Sequence, residues 1–257
     1  MQDGNVAAEL TLAALKAHSD DDLSNYSESL TLAAAAVNPA YGLAWYGERY
    51  REVACDPEWF IGSLVDNASV EGDGARKLWA LSAQCNEATS ERVSHAIKRH
   101  AVDESHHAQY YIRMADIIFP YSIPDELRPS LEALSPHYLA VSVLPSDLPG
   151  KTTERVIDEL VQMNIGEIRT RINQLLLRPI AHAYCGENGD HKALQRTLDR
   201  LMRDETRHIH YTALILEGYS RRGQGRLVRD LMEQRMGDFD RITRKEVGVG
   251  LFDGDLF

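Results

Sequence analysis

The sequence predicts an all-α protein, a four-helix bundle with additional helices at both ends. Two segments, Val102–His107 and Arg203–His208, carry the same pattern D-E-x-x-H within apolar repeats of helical period. Turn-forming residues lie at 86–90 and at 185–190, each between two long helical patterns. These observations predict two similar helical hairpins in succession, within a single domain that spans residues 1–257.

The chain before the bundle is predicted to form three helices. Asn38-Pro39 ends the second helix, because the residue before a proline is disfavoured in helical geometry. The third helix carries aromatic residues at helical spacing, which either pack in the core or form a wall of a substrate pocket. The predicted ranges are 5–17, 23–37 and 41–53, and the aromatic residues are Tyr41, Trp45, Tyr46 and Tyr50.

The four core helices have recognisable start and stop signals. Asp56 and Pro57 are typical of a helix start, with the aspartate as the cap and the proline in the first turn. Ser90 and Asp190 are candidate caps of the second and fourth core helices. Pro179 is expected to kink or end the third. The predicted core helices span about 57–86, 90–119, 152–184 and 190–221.

A proline-rich segment, 120–151, is predicted to connect the two hairpins, with short helices at about 127–134 and 137–143. A last helix is predicted from about 224 to 247, after a turn at Gly223. The tail 248–257 is rich in glycine, acidic and aromatic residues, which predicts either disorder or a peptide that docks on a partner.

Each D-E-x-x-H segment forms a candidate metal clamp. Residues three apart project from the same face of an α-helix, so Glu104 lies beside His107, and Glu205 lies beside His208. Two clamps indicate two metal ions. Helical bundles that bind two iron or manganese ions take one Glu-x-x-His from each of two helices and a single Glu from each of the other two.

Two further glutamates complete this ligand set. In an antiparallel helix pair, residues at equal depth lie equally far from the connecting turn, which matches Glu71 with Glu104 and Glu167 with Glu205. Glu71 also lies in the middle of a stripe of apolar or small residues. Carboxylates that fit less well in depth or face are Glu58, Asp66, Asp73 and Glu159.

Two glycines follow the proposed ligand Glu71 within three residues. Gly72 and Gly74 weaken the helix prediction, since glycine disfavours a helix interior. They are expected to leave open space beside Glu71 and near the metals.

The proposed ligand set, four carboxylates and two imidazoles without a thiolate, favours iron or manganese over structural zinc. Asp103 and Asp204 are expected either to accept a hydrogen bond from the second ring nitrogen of a histidine ligand or to form surface salt bridges. Alternatively, Arg171 and Arg207 neutralise the cluster without a metal. The predicted ligands are Glu71, Glu104, His107, Glu167, Glu205 and His208.

The segments AVDESHHAQYYIRM and LMRDETRHIHYTALI resemble the two metal-binding helices of ferritin-like di-iron oxygenases. The resemblance is greatest to the arylamine N-oxygenases, which include p-aminobenzoate N-oxygenase, and it covers about residues 60–220. It implies two iron ions, with manganese as an option, and O₂ as cosubstrate. It also implies oxygen insertion into a small organic molecule, often an amine in secondary metabolism, with an external electron donor.

Two positions bear on the type of chemistry. The arylamine N-oxygenases carry a further histidine ligand one turn before the second clamp, where this chain has Leu201, so nitrogen oxidation and carbon hydroxylation both stay open. His100 lies one turn before Glu104 and is either a seventh ligand or a histidine beside the ligands.

Tyr111 leaves a further function open. It lies one turn after His107, where the radical-generating small subunit of ribonucleotide reductase has its tyrosine; an interior tyrosine with a hydrogen-bonded hydroxyl is the alternative. A ferroxidase or iron-storage protein is the remaining alternative, and it requires assembly into a closed shell.

Composition restricts the partners and the compartment. The net charge of −11 argues against nucleic acid or an anionic membrane surface as a partner. Three widely spaced cysteines without a C-x-x-C motif suggest buried thiols in a reducing cytoplasm, and the acidic start lacks the pattern of a signal peptide. The expected partners are therefore a small-molecule substrate and an electron donor in the cytoplasm, with a homodimer as one option.

Overall fold

The computed structural model describes residues 5–85, 91–141, 152–187 and 189–248. Within these ranges the chain forms packed helices joined by turns and contains no strand, which confirms the all-α class. The ferritin-like four-helix arrangement and the single domain stay predictions. The predicted break at 86–90 with its cap Ser90, and the predicted tail beyond residue 248, lie outside the described residues.

The helix bounds lie within a few residues of those predicted. A short 3₁₀ turn, Ala40–Gly42, precedes the third helix, and a wide turn, Ser220–Gln224, separates the last two. Gly223 in that wide turn has a φ of 92°, a conformation that favours glycine. The α-helices of the described residues are α1 Ala7–His18, α2 Ser24–Val37, α3 Ala44–Val53, α4 Pro57–Gln84, α5 Glu91–Ile118, α6 Arg128–Glu132, α7 Pro136–Val141, α8 Thr153–Tyr184, α9 His191–Tyr219 and α10 Gly225–Glu246.

The chain divides into two compact units, and helices α8 and α9 contribute to both of them. Unit 1 consists of Met1–Val53, Ile157–Leu177 and Glu205–Phe257. Unit 2 consists of Ala54–Val156 and Arg178–Asp204.

In unit 2, helices α4 and α5 pack side by side in antiparallel directions. The rings of Phe60, near the start of α4, and Phe119, just after α5, have centroids 6.2 Å apart. At the opposite end, the Ser94 hydroxyl donates a hydrogen bond of 2.6 Å to the Ser82 carbonyl. Residues equally far from the connection therefore lie at the same level. The predicted apolar stripe of α4 is buried at all six positions: Leu64, Ala68, Glu71, Ala75, Leu78 and Ser82.

The two predicted aspartate caps are confirmed. A carboxylate oxygen of Asp56 accepts a hydrogen bond of 2.9 Å from the Glu58 amide, and Pro57 is the first residue of α4. Asp190 accepts a bond of 2.9 Å from the Ala193 amide at the start of α9. These contacts satisfy amide groups that a helix start leaves without helical partners.

Pro179 does not end helix α8, which continues to Tyr184. The Tyr184 ring stacks on Phe60, with centroids 5.2 Å apart, and its hydroxyl donates a hydrogen bond of 2.8 Å to the Ala54 carbonyl. Packing within unit 2 therefore holds the turn that follows the proline, and it offsets the loss of one helical hydrogen bond.

In unit 1, helix α2 packs against α10. Each helix contributes a stripe of fully buried apolar side chains spaced three or four residues apart. The stripe of α2 contains Tyr26, Leu30 and Ala33, and that of α10 contains Val228, Met232 and Met236.

The aromatic segment before α4 packs in the core of unit 1. Tyr41, Tyr46 and Tyr50 are buried there, as the core-packing interpretation predicted, whereas Trp45 is only partly buried. Tyr41 and Tyr46 also border a groove of about 550 Å³ formed by α1, α3 and α8.

Among the cysteines, Cys85 and Cys185 are buried, whereas Cys55 is exposed, so the prediction of buried thiols is wrong for Cys55. Within the described part of the chain, no helix has the length and apolar character needed to cross a membrane.

A buried carboxylate joins the start of α2 to the end of α9. Glu217 is 3% exposed and accepts hydrogen bonds from the Tyr26 amide (2.8 Å), the Asn25 side chain (2.7 Å) and Arg221 Nε (2.7 Å). Burial raises the pKa of Glu217, whereas these hydrogen bonds and the charge of Arg221 lower it. The lowering is the larger effect, so the pKa of Glu217 lies below the ordinary 4.5.

Replacing Glu217 by glutamine is expected to destabilise the protein at neutral pH by about 1–3 kcal/mol, because hydrogen bonds to a charged acceptor are lost. A carboxyl group with a lowered folded-state pKa stabilises the fold above its unfolded pKa, and this contribution disappears as the pH falls through the folded pKa. The stability gap between wild type and E217Q is therefore expected to narrow below about pH 4.5. Urea unfolding of both proteins at several pH values measures this difference in the free energy of unfolding.

The exposed Glu28 of α2 provides the control, since E28Q makes the same chemical change without burial. A gap that stays constant between pH 7 and pH 3 would contradict the assigned role of Glu217.

Candidate metal sites

Helices α4 and α5 bring together three predicted ligands in unit 2, here named the α4/α5 group: Glu71, Glu104 and His107. His107 Nδ1 lies 3.3 Å from Glu104 Oε1 and 4.0 Å from Glu71 Oε2. All three side chains are buried, and His107 is completely inaccessible. The two residues of the clamp face Glu71 because the antiparallel packing places them at the same level.

The same helix brings a second histidine to Glu104. His100 is 1% exposed, and its Nε2 lies 3.2 Å from Glu104 Oε1. Burial raises the pKa of Glu104, but hydrogen bonds with Glu71, His100 and His107 outweigh burial and hold the pKa well below its ordinary value. Glu104 is therefore anionic at neutral pH, as a metal ligand must be.

Asp204 lies on the other side of the His107 ring. Its Oδ2 atom is 3.5 Å from His107 Nε2 and accepts a hydrogen bond of 2.9 Å from Arg200 Nε. Asp204 is 4% exposed, and its hydrogen bond and charge raise the pKa of Arg200. Asp103, which is partly exposed on α5, makes a smaller contribution to that rise. A carboxylate at the second ring nitrogen orients the imidazole and keeps its first nitrogen directed at a ligand-binding position.

Unit 1 contains a second set of predicted ligands, here named the α8/α9 group: Glu167, Glu205 and His208. His208 Nδ1 lies 3.8 Å from Glu205 Oε2 and 3.9 Å from Glu167 Oε2. All three are buried, and Gln174 donates a hydrogen bond of 3.0 Å to Glu205 Oε1. This group has the same composition as the α4/α5 group, namely a Glu-x-x-His pair with a glutamate from the facing helix.

The α8/α9 pair is held in register by residues that the sequence did not single out. The Asn164 side chain donates to the Ile209 carbonyl (3.2 Å) and to the Thr212 hydroxyl (2.8 Å), and it accepts from the Tyr26 hydroxyl (2.8 Å). Asn164 is fully buried three residues before Glu167. A polar residue on an otherwise apolar face was the one available signal, but it does not identify the partners.

The two arginines considered as neutralising cations lie on the helices of the α8/α9 group, Arg171 on α8 and Arg207 on α9. Arg171 Nε donates a hydrogen bond of 3.2 Å to the Thr206 hydroxyl, and burial lowers the Arg171 pKa. Burial lowers the pKa of His18, and the charges of His210 and Arg207 lower it as well. Of the competing carboxylates, Glu159 is half-buried, and the exposed ones are Glu58, Asp66 and Asp73.

In each group the histidine nitrogen and either carboxylate oxygen are separated by a distance that two ligands of one divalent cation can have. Two ligand atoms that are each about 2.1 Å from the same ion lie roughly 3.0–4.2 Å apart, depending on the angle between them. The distances from the histidine nitrogen to the carboxylate oxygens are 3.3 and 4.0 Å in one group and 3.8 and 3.9 Å in the other. Buried side chains that could hold a metal ion are Glu71, His100, Glu104, His107, Glu167, Glu205 and His208.

The expectation that Gly72 leaves space near the metals is wrong. A Cβ atom at position 72 would lie 2.5 Å from Leu134 Cδ2, so the missing side chain admits Leu134 against α4. A Cβ atom at Gly74 would lie 3.5 Å from Glu104 Oε2, which is an ordinary contact distance.

Replacing Gly72 by alanine is expected to destabilise the protein by about 1–3 kcal/mol, because Leu134 must move. Gly62 in the same helix is the matched control, since no atom lies within 4 Å of its added Cβ. Gly62→Ala is expected to stabilise by up to about 1 kcal/mol through helix propensity. Thermal unfolding compares the two variants, and equal shifts in the same direction would refute the close packing of Leu134.

Two further predicted positions are buried but lie outside both groups. Leu201 is a fully buried apolar residue in α9, and Tyr111 is 2% exposed in α5, one turn after His107.

Comparisons with protein families, with curated proteins and with solved structures found no match for this chain.

Proposed function

We propose that the protein binds two metal ions, one in each Glu/Glu/His group, and that it is a non-haem di-iron oxygenase. The observation that carries this proposal is the repeated composition of the groups. In each, a buried Glu-x-x-His pair of one helix lies within 4.0 Å of a glutamate of the facing helix. Two independent occurrences of this donor set are difficult to explain as structural ion pairs, because buried carboxylates are costly without a compensating cation.

The donor atoms favour iron, with manganese as the second choice. Each group offers two carboxylates and one imidazole, a hard set without thiolate. Within the described residues, both groups lack a cysteine. Structural zinc is usually held by four ligands, all of them cysteine or histidine.

Bound iron would supply the activation of O₂. The chain's own residues hold the ions and orient the ligands. Asp204 fixes the ring of His107, Gln174 holds one oxygen of Glu205, and burial of both groups keeps bulk water from the ligands.

The substrate is proposed to be a small organic molecule, oxidised at nitrogen or at carbon, with electrons from an external donor. The resemblance of the two clamp segments to arylamine N-oxygenases supports this class. Leu201 in place of the family's additional histidine keeps hydroxylation as an equal option.

Anaerobic titration of the metal-free protein with Fe(II) tests the proposal. We expect two Fe(II) per chain, followed on admission of O₂ by a change in visible absorption and by oxygen uptake that continues only with a reductant. A stoichiometry below two, or the absence of an O₂-dependent absorption change, would refute the oxygenase. Magnetic coupling between the two irons, measured by Mössbauer spectroscopy in an applied field, tests the predicted single dinuclear centre.

A radical-generating subunit is the second candidate, because Tyr111 is buried on α5 one turn after His107. Electron paramagnetic resonance after exposure of the iron-loaded protein to O₂ distinguishes the two functions. A stable tyrosyl radical that is absent from Tyr111→Phe would favour the radical-generating subunit over the oxygenase.

A further inference from the structure

A concave basic surface lies in unit 2, between α5 and the first part of α9. The pocket is open to solvent and has a volume of about 360 Å³; the residues that line it include Tyr110, Arg113, Arg196, Asp199, Arg200 and Arg203. We name this surface the arginine pocket. It is separate from the α4/α5 group, although Arg200 contacts Asp204 beside that group.

The charge of the arginine pocket is opposite to that of the whole chain. The protein has 39 acidic and 28 basic residues, yet four arginines and one aspartate line this pocket. The one carboxylate, Asp199, already accepts hydrogen bonds of 2.8 Å from both Arg178 and Gln195. The local charge is therefore positive and is not neutralised by the pocket's own aspartate.

Two of the four arginines have no hydrogen-bond or ion-pair partner in the described part of the chain. Arg113 and Arg196 are exposed, and no described side chain or carbonyl accepts from them. Arg200 Nε donates a hydrogen bond of 2.9 Å to Asp204 Oδ2. Arg203 Nε donates one of 3.4 Å to the Asp199 carbonyl of the same helix. Because Asp204 balances the charge of Arg200, the guanidinium groups that remain available to an anion are those of Arg113, Arg196 and Arg203.

We propose that the arginine pocket binds the phosphate group of a small ligand. Guanidinium groups match the oxygens of phosphate with paired hydrogen bonds, and a doubly charged group balances several arginines better than a single carboxylate does. A volume of about 360 Å³ accommodates a phosphate and part of an attached group. This binding site is additional to the proposed metal sites and does not depend on them.

Isothermal titration calorimetry of the full chain with inorganic phosphate, at constant ionic strength, tests the proposal. The double variant Arg113→Ala/Arg196→Ala is expected to bind phosphate at least about tenfold more weakly, because two charge-assisted contacts are lost. Both residues are exposed, so the fold should persist, which circular dichroism checks. Acetate is expected to bind more weakly than phosphate to the unmodified protein.

The matched control is Arg92→Ala/Arg99→Ala, which removes two exposed arginines of the same helix α5 outside the pocket. The control should keep the affinity of the unmodified protein to within about twofold. The proposal is overturned if both double variants weaken phosphate binding equally, if acetate binds as tightly as phosphate, or if phosphate shows no saturable binding.

Discussion

Replacing His107 by alanine is expected to reduce iron binding from two ions to about one per chain. The imidazole provides the only nitrogen among the three ligands of the α4/α5 group, and Nδ1 lies within 4.0 Å of both carboxylates. The remaining ion is expected in the α8/α9 group, so the double variant His107→Ala/His208→Ala should bind no iron tightly. Equilibrium dialysis with Fe(II) under anaerobic conditions measures both stoichiometries, and the affinity lost at each site should exceed about a hundredfold.

His106 offers a closely matched control for this experiment. It neighbours His107 in the sequence but is exposed, and its Nδ1 lies 2.9 Å from the Val102 carbonyl of its own helix. His106→Ala should therefore keep two iron ions per chain. If His106→Ala and His107→Ala bind iron equally well, the α4/α5 group is not a metal site.

The largest effect on stability is expected from Asn164→Ala, which should destabilise the protein by about 3–5 kcal/mol. The side chain makes three hydrogen bonds in a fully buried position, with Tyr26, Ile209 and Thr212. Its removal leaves the buried Tyr26 hydroxyl without an acceptor and opens a small cavity. Because Asn164 joins α8 to α9, iron binding in the α8/α9 group should weaken as well. Urea unfolding of the metal-free protein measures the first effect and dialysis the second.

Asn173 of the same helix is the control for Asn164. Its side chain is half-buried and accepts one hydrogen bond of 3.0 Å, from the Tyr46 hydroxyl. Asn173→Ala should cost about 1 kcal/mol and leave iron binding unchanged. A similar loss of stability in both variants would mean that Asn164 has no special role between the helices.

Some of the ligand candidates follow from helix spacing alone, and others require an assumption about how the helices pair. The spacing of Glu104 and His107 follows from helix geometry alone, because residues three apart project together whatever lies around them. Glu71 required one further assumption, an antiparallel hairpin with its turn near the midpoint, and α4 and α5 satisfy it. The joint role of the six ligands at one centre stays a prediction, which iron titration and magnetic coupling address.

The misinterpretation of Gly72 has a different physical origin. A glycine beside a proposed ligand is compatible either with empty space or with a neighbour that packs closely, and the sequence does not distinguish these. Leu134, far away in the chain, fills the position. Pro179 was expected to kink or end α8, whose predicted range nevertheless reached residue 184. The contacts of Tyr184 with Phe60 and Ala54 keep α8 helical to that residue.

The sequence by itself determined the helical class, the capped starts of α4 and α9, and the two Glu-x-x-His clamps, because these depend on residues within a few positions of each other. Only the tertiary structure decided which distant side chains hold the helices together: Asp204 beside His107, Asn164 of α8 against α9, and Glu217 of α9 against the start of α2. The arginine pocket belongs with these contacts, since its members come from two helices. Such contacts depend on how helices pack, which a periodic pattern restricts to a face but does not assign to a partner.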